Sequence, residues 1–322
     1  MKKNDNTLEK FPSLEETIYA INKLNSKKWP IFDPTIHTDI NKFIREIDDI
    51  ITKEFGIFPS LLQPMNFKKF NLNIFRVREV SKFTNINIFS EHSYPPPSFT
   101  DMGRCNFPEN PVFYAANHPG TALMEVSGNK NFTGKQYCIS KWEIRESNKD
   151  LIFENYLRGE LPSENLFKDV NYDLLEKLDQ TFEKKLSIDK RKSIIKYLSF
   201  LDSCFINDHN YSLSAALAHR ALFREHYTRT DILMYPSKQS LLKGVNFAIN
   251  PNFASNYLYI KRFYIVTINS IEEDKSRFNI SFQNYGTVDK GLTYWNKITK
   301  KDDRFENYIK EDFGESFYKN VC

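Results

Sequence analysis

No apolar run in this 322-residue chain is long enough to span a bilayer. The first residues, MKKNDNTLEKF, are basic but lead into no apolar segment. They do not read as a signal peptide, and a cytoplasmic location away from membranes is expected. The four cysteines, Cys105, Cys138, Cys204 and Cys322, show no C-x-x-C spacing. That argues against a zinc site or a disulfide frame and for free thiols in a reducing compartment, with no metal expected. Neither charge sign dominates: 45 basic and 41 acidic residues leave a net charge of +4. An extended nucleic-acid-binding stripe is therefore not expected, although a local basic pocket stays open. There is no internal repeat and no low-complexity tract. What the chain does have is apolar and aromatic content, 40% and 15%, with 28 Phe and 17 Tyr. That is the composition of a folded globular protein with a sizeable core, in one large domain or two small ones.

Residues 1–70 read as an N-terminal helical extension. Leu14 to Leu24 carries apolar residues at helical spacing behind a Ser13/Glu16 capping box. Phe43, Ile44, Ile47, Ile50, Ile51 and Phe55 form one face of a second amphipathic helix. Leu72 to Val80 alternates as a strand, which puts Arg76 and Arg78 on one face. Two cations there suit either an anion or the surface of an edge strand. Gln136 to Ile144 is a further strand. Residues 145–205 read as a charged helical insert, with Leu174, Leu175, Leu178, Phe182 and Leu186 on one stripe and Ile188, Ile194, Ile195, Leu198 and Leu201 on the next. The insert could lid a pocket, pair two copies of the chain or be decorative. Tyr211 to Tyr227 reads as a helix capped by Ser212. Strands follow at Asp231–Tyr235, in a run beginning at Gly244–Phe247, and over Tyr257–Ile268. Residues 271–322 read as a closing hairpin, Phe278–Phe282 with Tyr294–Ile298, and a polar tail from Lys300.

Ser93 to Val126 is the richest stretch. Pro95, Pro96 and Pro97 make a rigid approach, Gly103 releases the chain, and Arg104 and Asn106 follow. Val112 to Ala116 reads as a short buried strand. Asn117 or His118 then caps a helix that has Pro119 just inside its start. In that position His118 reads as a cap or surface residue rather than a base. Glu125 is an acid in a mostly apolar turn, and such a group needs a partner or a chemical task. Ser237, just past a buried strand, reads by itself as a turn serine.

In order, GR-x-N at Gly103–Asn106, PVFYAA at Pro111–Ala116 and TAL-x-E at Thr121–Glu125 resemble the central signature of the RES domain, named for its Arg, Glu and Ser. FRVR at Phe75–Arg78 is similar to the family's first element. DILMYPS and GVNFAINP, between Asp231 and Pro251, are similar to its third. The resemblance runs from Ile74 to Ile268 apart from the insert. It implies a catalytic domain over 71–270 of α+β class, with a mixed, split β-sheet like that of mono-ADP-ribosyltransferases. It also implies an enzyme that holds NAD in a cleft as its substrate and cleaves the nicotinamide–ribose bond.

The residue types suit that reaction. Nicotinamide leaves NAD as a neutral molecule from a cationic ring, so the second carboxylate of ordinary glycosidases is unnecessary. The ribosyl oxocarbenium ion wants one nearby anion, and Glu125 is the candidate. By the resemblance, Arg76 and Arg104 hold the pyrophosphate, with Arg78 beside Arg76 and Asn106 in the same binding set. Tyr114 stacks on nicotinamide or ribose, Ser237 orients the ribose or Glu125, and Asn246 is a further polar contact. The family includes NAD-degrading toxins checked by a cognate antitoxin, and the same is expected here, by hydrolysis or phosphorolysis. Protein mono-ADP-ribosylation and a non-enzymatic nucleotide- or partner-binding module are the alternatives, and homo-oligomer formation stays open.

Overall fold

The computed structural model describes residues 8–58, 63–65, 72–128, 132, 134–145, 147, 150–165, 167–223, 229–272, 278–289, 291–299, 301–315 and 317. In chain order the helices and strands are α1 Leu14–Asn25, α2 Ile40–Phe55, β1 Gln63–Met65, β2 Ile74–Glu79, β3 Phe113–Ala116, α3 Pro119–Ser127, β4 Gln136–Ile144, β5 Leu151–Asn155 and α4 Lys168–Glu183. They continue with α5 Ile188–Asn207, α6 Ser212–Leu222, β6 Ile232–Pro236, β7 Val245–Ile249, α7 Pro251–Tyr257, β8 Leu258–Ile271, β9 Phe278–Asp289, β10 Leu292–Lys297 and α8 Asp303–Phe313. The class is α+β, with antiparallel and parallel strand pairs both present. Among the described residues no helix is long and apolar enough to cross a membrane.

The chain divides into two compact units, each built from separated segments. The first takes residues 1–63, 96–111 and 152–235. Helices dominate it, beside the parallel pair β5 and β6. Both arms of the Ser13/Glu16 capping box form at the start of α1. Phe43, Ile44, Ile47, Ile51 and Phe55 of α2 are buried as their spacing predicts, with Ile50 half-buried. The Thr17 and Ser193 hydroxyls join α1 to α5 at 2.6 Å. Tyr197 of α5 packs edge-on against Phe11 and Phe55. Arg158 is tied to the fully buried Asp202 through Nη2 at 2.6 Å and Nε at 3.1 Å.

The second unit takes 64–95, 112–151 and 236–322. Its strands run antiparallel in the order β7, β3, β2, β4, β8, β9, β10. One face carries Phe75, Val77, Ala116, Ile139 and Tyr264, which pack with Ala122 and Leu123 of α3 and Phe305, Ile309 and Phe313 of α8.

Several local expectations change. The stretch beyond Lys300 is not only a polar tail. Phe305, Ile309 and Phe313 recur every fourth residue and are buried on α8, and Asp302 caps that helix by accepting from the Phe305 amide at 3.0 Å. The insert contains strand β5 as well as helices. Tyr211, at φ 60°, takes the cap position of α6, while Ser212 is its first residue and accepts from the Phe32 amide at 2.9 Å. Helix α7, capped by Asn250, intervenes between β7 and β8. Tyr227, Cys322 and the side chain of Leu174 lie outside the described residues.

Removing one member of a buried ion pair strands the other charge. Asp202→Ala is expected to lower unfolding stability by about 3–5 kcal/mol, read from urea denaturation. Wild-type stability in that variant would show the pair to be dispensable.

Candidate functional site

Helix α3 begins where β3 ends, and the sequence there explains why. His118 is the N-cap, its Nδ1 accepting from the Gly120 amide at 3.1 Å, with Pro119 in the first turn, where no amide is needed. Its Nε2 then faces the Phe313 carbonyl at 3.4 Å, so the imidazole is committed to structure. Asn117 fastens the same corner to β7, its Oδ1 accepting from the Val245 amide at 2.9 Å. Thr121 and Glu125, four residues apart, share one side of α3.

That side meets the segment 237–246. Glu125 Oε1 accepts from Ser237 Oγ at 2.5 Å and from Asn246 Nδ2 at 2.7 Å. Ser237 and Asn246 are buried, whereas the Glu125 residue is exposed. With both donors on Oε1, the carboxylate is held in one orientation. Asn246 must turn its amide oxygen away from Glu125, and Oδ1 is buried without a hydrogen-bond partner among the described residues. Ser237 is itself fixed: its Oγ accepts from the Ser240 amide at 3.2 Å, and Ser240 Oγ donates to the Ser237 carbonyl at 3.1 Å. Ser240 Oγ also accepts from the Gly244 amide at 2.9 Å. The loop closes through Leu241 and Leu242, both at positive φ, 53° and 64°, a conformation uncommon for side-chain-bearing residues and frequent near functional sites. Gly244 is required by close approach, since a Cβ there would lie 2.1 Å from Thr121 Oγ1.

The other sequence candidates divide. Ala116 of β3 pairs with Asn246 on one side and Phe75 on the other. Those three residues, and Tyr114 two positions away, thus lie on the sheet face that α3 covers. Arg76 and Arg78 alternate to the opposite face. There Arg76 Nε donates to the His92 carbonyl at 3.0 Å and Nη1 to the Tyr114 carbonyl at 2.7 Å, with the guanidinium over the Phe113 ring. Burial, with Arg78 nearby, pushes the Arg76 pKa down to about 10. Arg78 donates to the carbonyls of Glu91 and Lys82. Arg104 and Asn106 belong to the first unit. Arg104 caps the end of α5 through the Phe205 and Ile206 carbonyls at 2.6 and 3.2 Å. Asn106 holds its own loop through the Asp101 and Phe107 carbonyls. In each case main-chain carbonyls of its own unit engage the side chain. Thr121, Ser240 and Gly244 carry no site role in the sequence alone, although two serines three apart ahead of a glycine are a legible turn signal.

His92 sits in the turn that Arg76 and Arg78 hold. Its Nε2 meets the Ile86 carbonyl at 2.7 Å. Burial, aided by both arginines, pushes its pKa down to about 4.

Compared with known proteins, the chain matches no family model and no curated sequence.

Gly244→Ala is expected to cost at least about 1–3 kcal/mol by overpacking against Thr121. Thr121→Ala in the same chain should recover part of it, a non-additivity measurable by denaturant unfolding. For His92 the folded pKa lies below the unfolded value of about 6.5, so between the two the unfolded state binds more protons. His92 thus stabilises above pH 6.5 and loses that contribution as pH falls toward 4, by at most about 3 kcal/mol. His92→Gln, which keeps a donor for Ile86, should flatten the pH dependence of unfolding in that window.

Proposed function

We propose that this protein cleaves the nicotinamide–ribose bond of NAD, with Glu125 as the anion that stabilises the ribosyl oxocarbenium ion. The observation that carries the reading is the Glu125 carboxylate, exposed yet held through one oxygen by Ser237 at 2.5 Å and Asn246 at 2.7 Å. A preset carboxylate costs no reorganisation when positive charge develops beside it, which is where electrostatic catalysis is strongest. Because pyridinium is already a good leaving group, one such carboxylate suffices. The resemblance of the Glu125, Ser237 and Tyr114 segments to RES domains supports the same reading. Tyr114 lies on the sheet face covered by α3 and offers a ring for stacking on the nicotinamide or ribose. Ser237 and Asn246 act as positioning residues for Glu125. By that resemblance the protein acts in the cytoplasm as an NAD-depleting toxin restrained by a cognate antitoxin.

Incubation of the purified chain with NAD, following nicotinamide, ADP-ribose and labelled protein together, tests this. Nicotinamide release is expected, with free ADP-ribose marking hydrolysis. ADP-ribose 1″-phosphate formed only when phosphate is supplied marks phosphorolysis, and labelled protein marks transfer to a side chain. Glu125→Gln should lower the rate at least about a hundredfold with the fold intact. Ser237→Ala should lower kcat more than it changes KM, since the hydroxyl touches Glu125. A fully active Glu125→Gln protein would remove the assignment, and NAD binding without turnover would identify a nucleotide-binding module instead.

A further inference from the structure

The register of the second unit places five residues in one row across five strands: Asn246, Ala116, Phe75, Lys141 and Arg262. Directly paired residues on antiparallel strands share a face. Lys141 and Arg262 therefore lie on the same face as Asn246, which holds Glu125. Lys141 stands three strand spacings away, about 14 Å along the row. Both cations are almost wholly buried, at 2% and 1% exposure, which is unusual for Lys and Arg without a specific partner.

Their partners come from the end of α8. Glu311 places Oε1 2.7 Å from Lys141 Nζ and Oε2 2.6 Å from Arg262 Nη2. Asp312 places Oδ1 2.6 Å from Lys141 Nζ and Oδ2 3.3 Å from Arg262 Nε. Two neighbouring carboxylates thus present four anionic oxygens to one Lys–Arg pair, which is how a diphosphate would present its own. The fit is incomplete, because Arg262 Nη1 is buried with no hydrogen-bond partner among the described residues. The Tyr308 ring lies 4.0 Å from the guanidinium carbon and fixes the plane of the fork. Glu311 keeps its side chain 47% exposed, so the outer carboxylate stands at the surface.

We propose that Lys141 and Arg262 form a diphosphate subsite, and that Glu311 and Asp312 of α8 fill it in the free protein in place of the ligand. The subsite is read from its own charges, independently of the NAD reading, and can be tested without turnover. Helix α8 then acts as an internal competitor: the ligand must displace its carboxylates, and the two occupants exclude one another.

Inorganic pyrophosphate is the probe, titrated into the purified chain by calorimetry at low ionic strength. Glu311→Gln removes one competing charge at a half-exposed position; Asp312 still faces both cations, so the variant should fold with a lowered melting temperature. It is expected to tighten pyrophosphate binding at least about tenfold. Adding Lys141→Met should erase the gain. A folded Glu311→Gln protein that binds no tighter than wild type, or a gain that survives loss of Lys141, overturns the proposal. Should either variant fail to fold, hydrogen exchange on the wild type decides. Saturating pyrophosphate should speed exchange in the last turn of α8, and unchanged exchange there overturns the proposal. If pyrophosphate binds as expected while NAD is left uncleaved, the subsite stands and the catalytic reading fails; the opposite pattern separates them the other way.

Discussion

One carboxylate oxygen, Glu125 Oε1, joins three parts of the second unit: helix α3, the Ser237–Gly244 loop and strand β7. The contact is possible because α3 lies close enough to the loop for Gly244 to touch Thr121, where no larger residue fits. The loop must in turn be rigid enough to aim Ser237, and Ser240 provides that through its amide and its hydroxyl. An exposed acid would otherwise sample many rotamers. Here two buried donors choose one, which is the difference between a surface glutamate and a preorganised one.

The cations show the opposite economy. Arg76, Arg78 and Arg104 are the natural anion grips by residue type, and each engages main-chain carbonyls. A guanidinium carries five donors in a fixed fork, so it closes turns and helix ends as readily as it binds phosphate. Arg104 satisfies carbonyls at the end of α5 that have no partner within the helix. Lys141 and Arg262, by contrast, sit in strands that read as ordinary buried segments, and their charge is met by acids about fifty or more residues further along the chain.

The local rules were legible where a signal is contained within a few residues. The Ser13 capping box, the apolar stripe of α2, the alternation in β2 and β4, and the Pro119 start of α3 all form as their spacing requires. So was the position of Ser237, just past the end of β6. The missed elements also had signals: the four-residue recurrence of Phe305, Ile309 and Phe313 in α8 was hidden by the charge around it. Tyr211 took the cap position of α6 because Ser212 was drawn to the Phe32 amide, a choice made by tertiary contact over local preference.

By itself the sequence determined which segments are helix or strand over most of the second unit, and it marked Glu125 as an acid out of place among apolar neighbours. Strand alternation put Arg76 and Arg78 on a common face, but alternation has no absolute sense. Only pairing with β3 and β4 decided that this face lies opposite Glu125. The grip of Ser237 and Asn246 on Glu125, across 112 and 121 residues, was likewise a tertiary decision. Periodicity is a property of neighbours in the chain, whereas a hydrogen bond between distant residues exists only once the sheet order and register have brought them within reach.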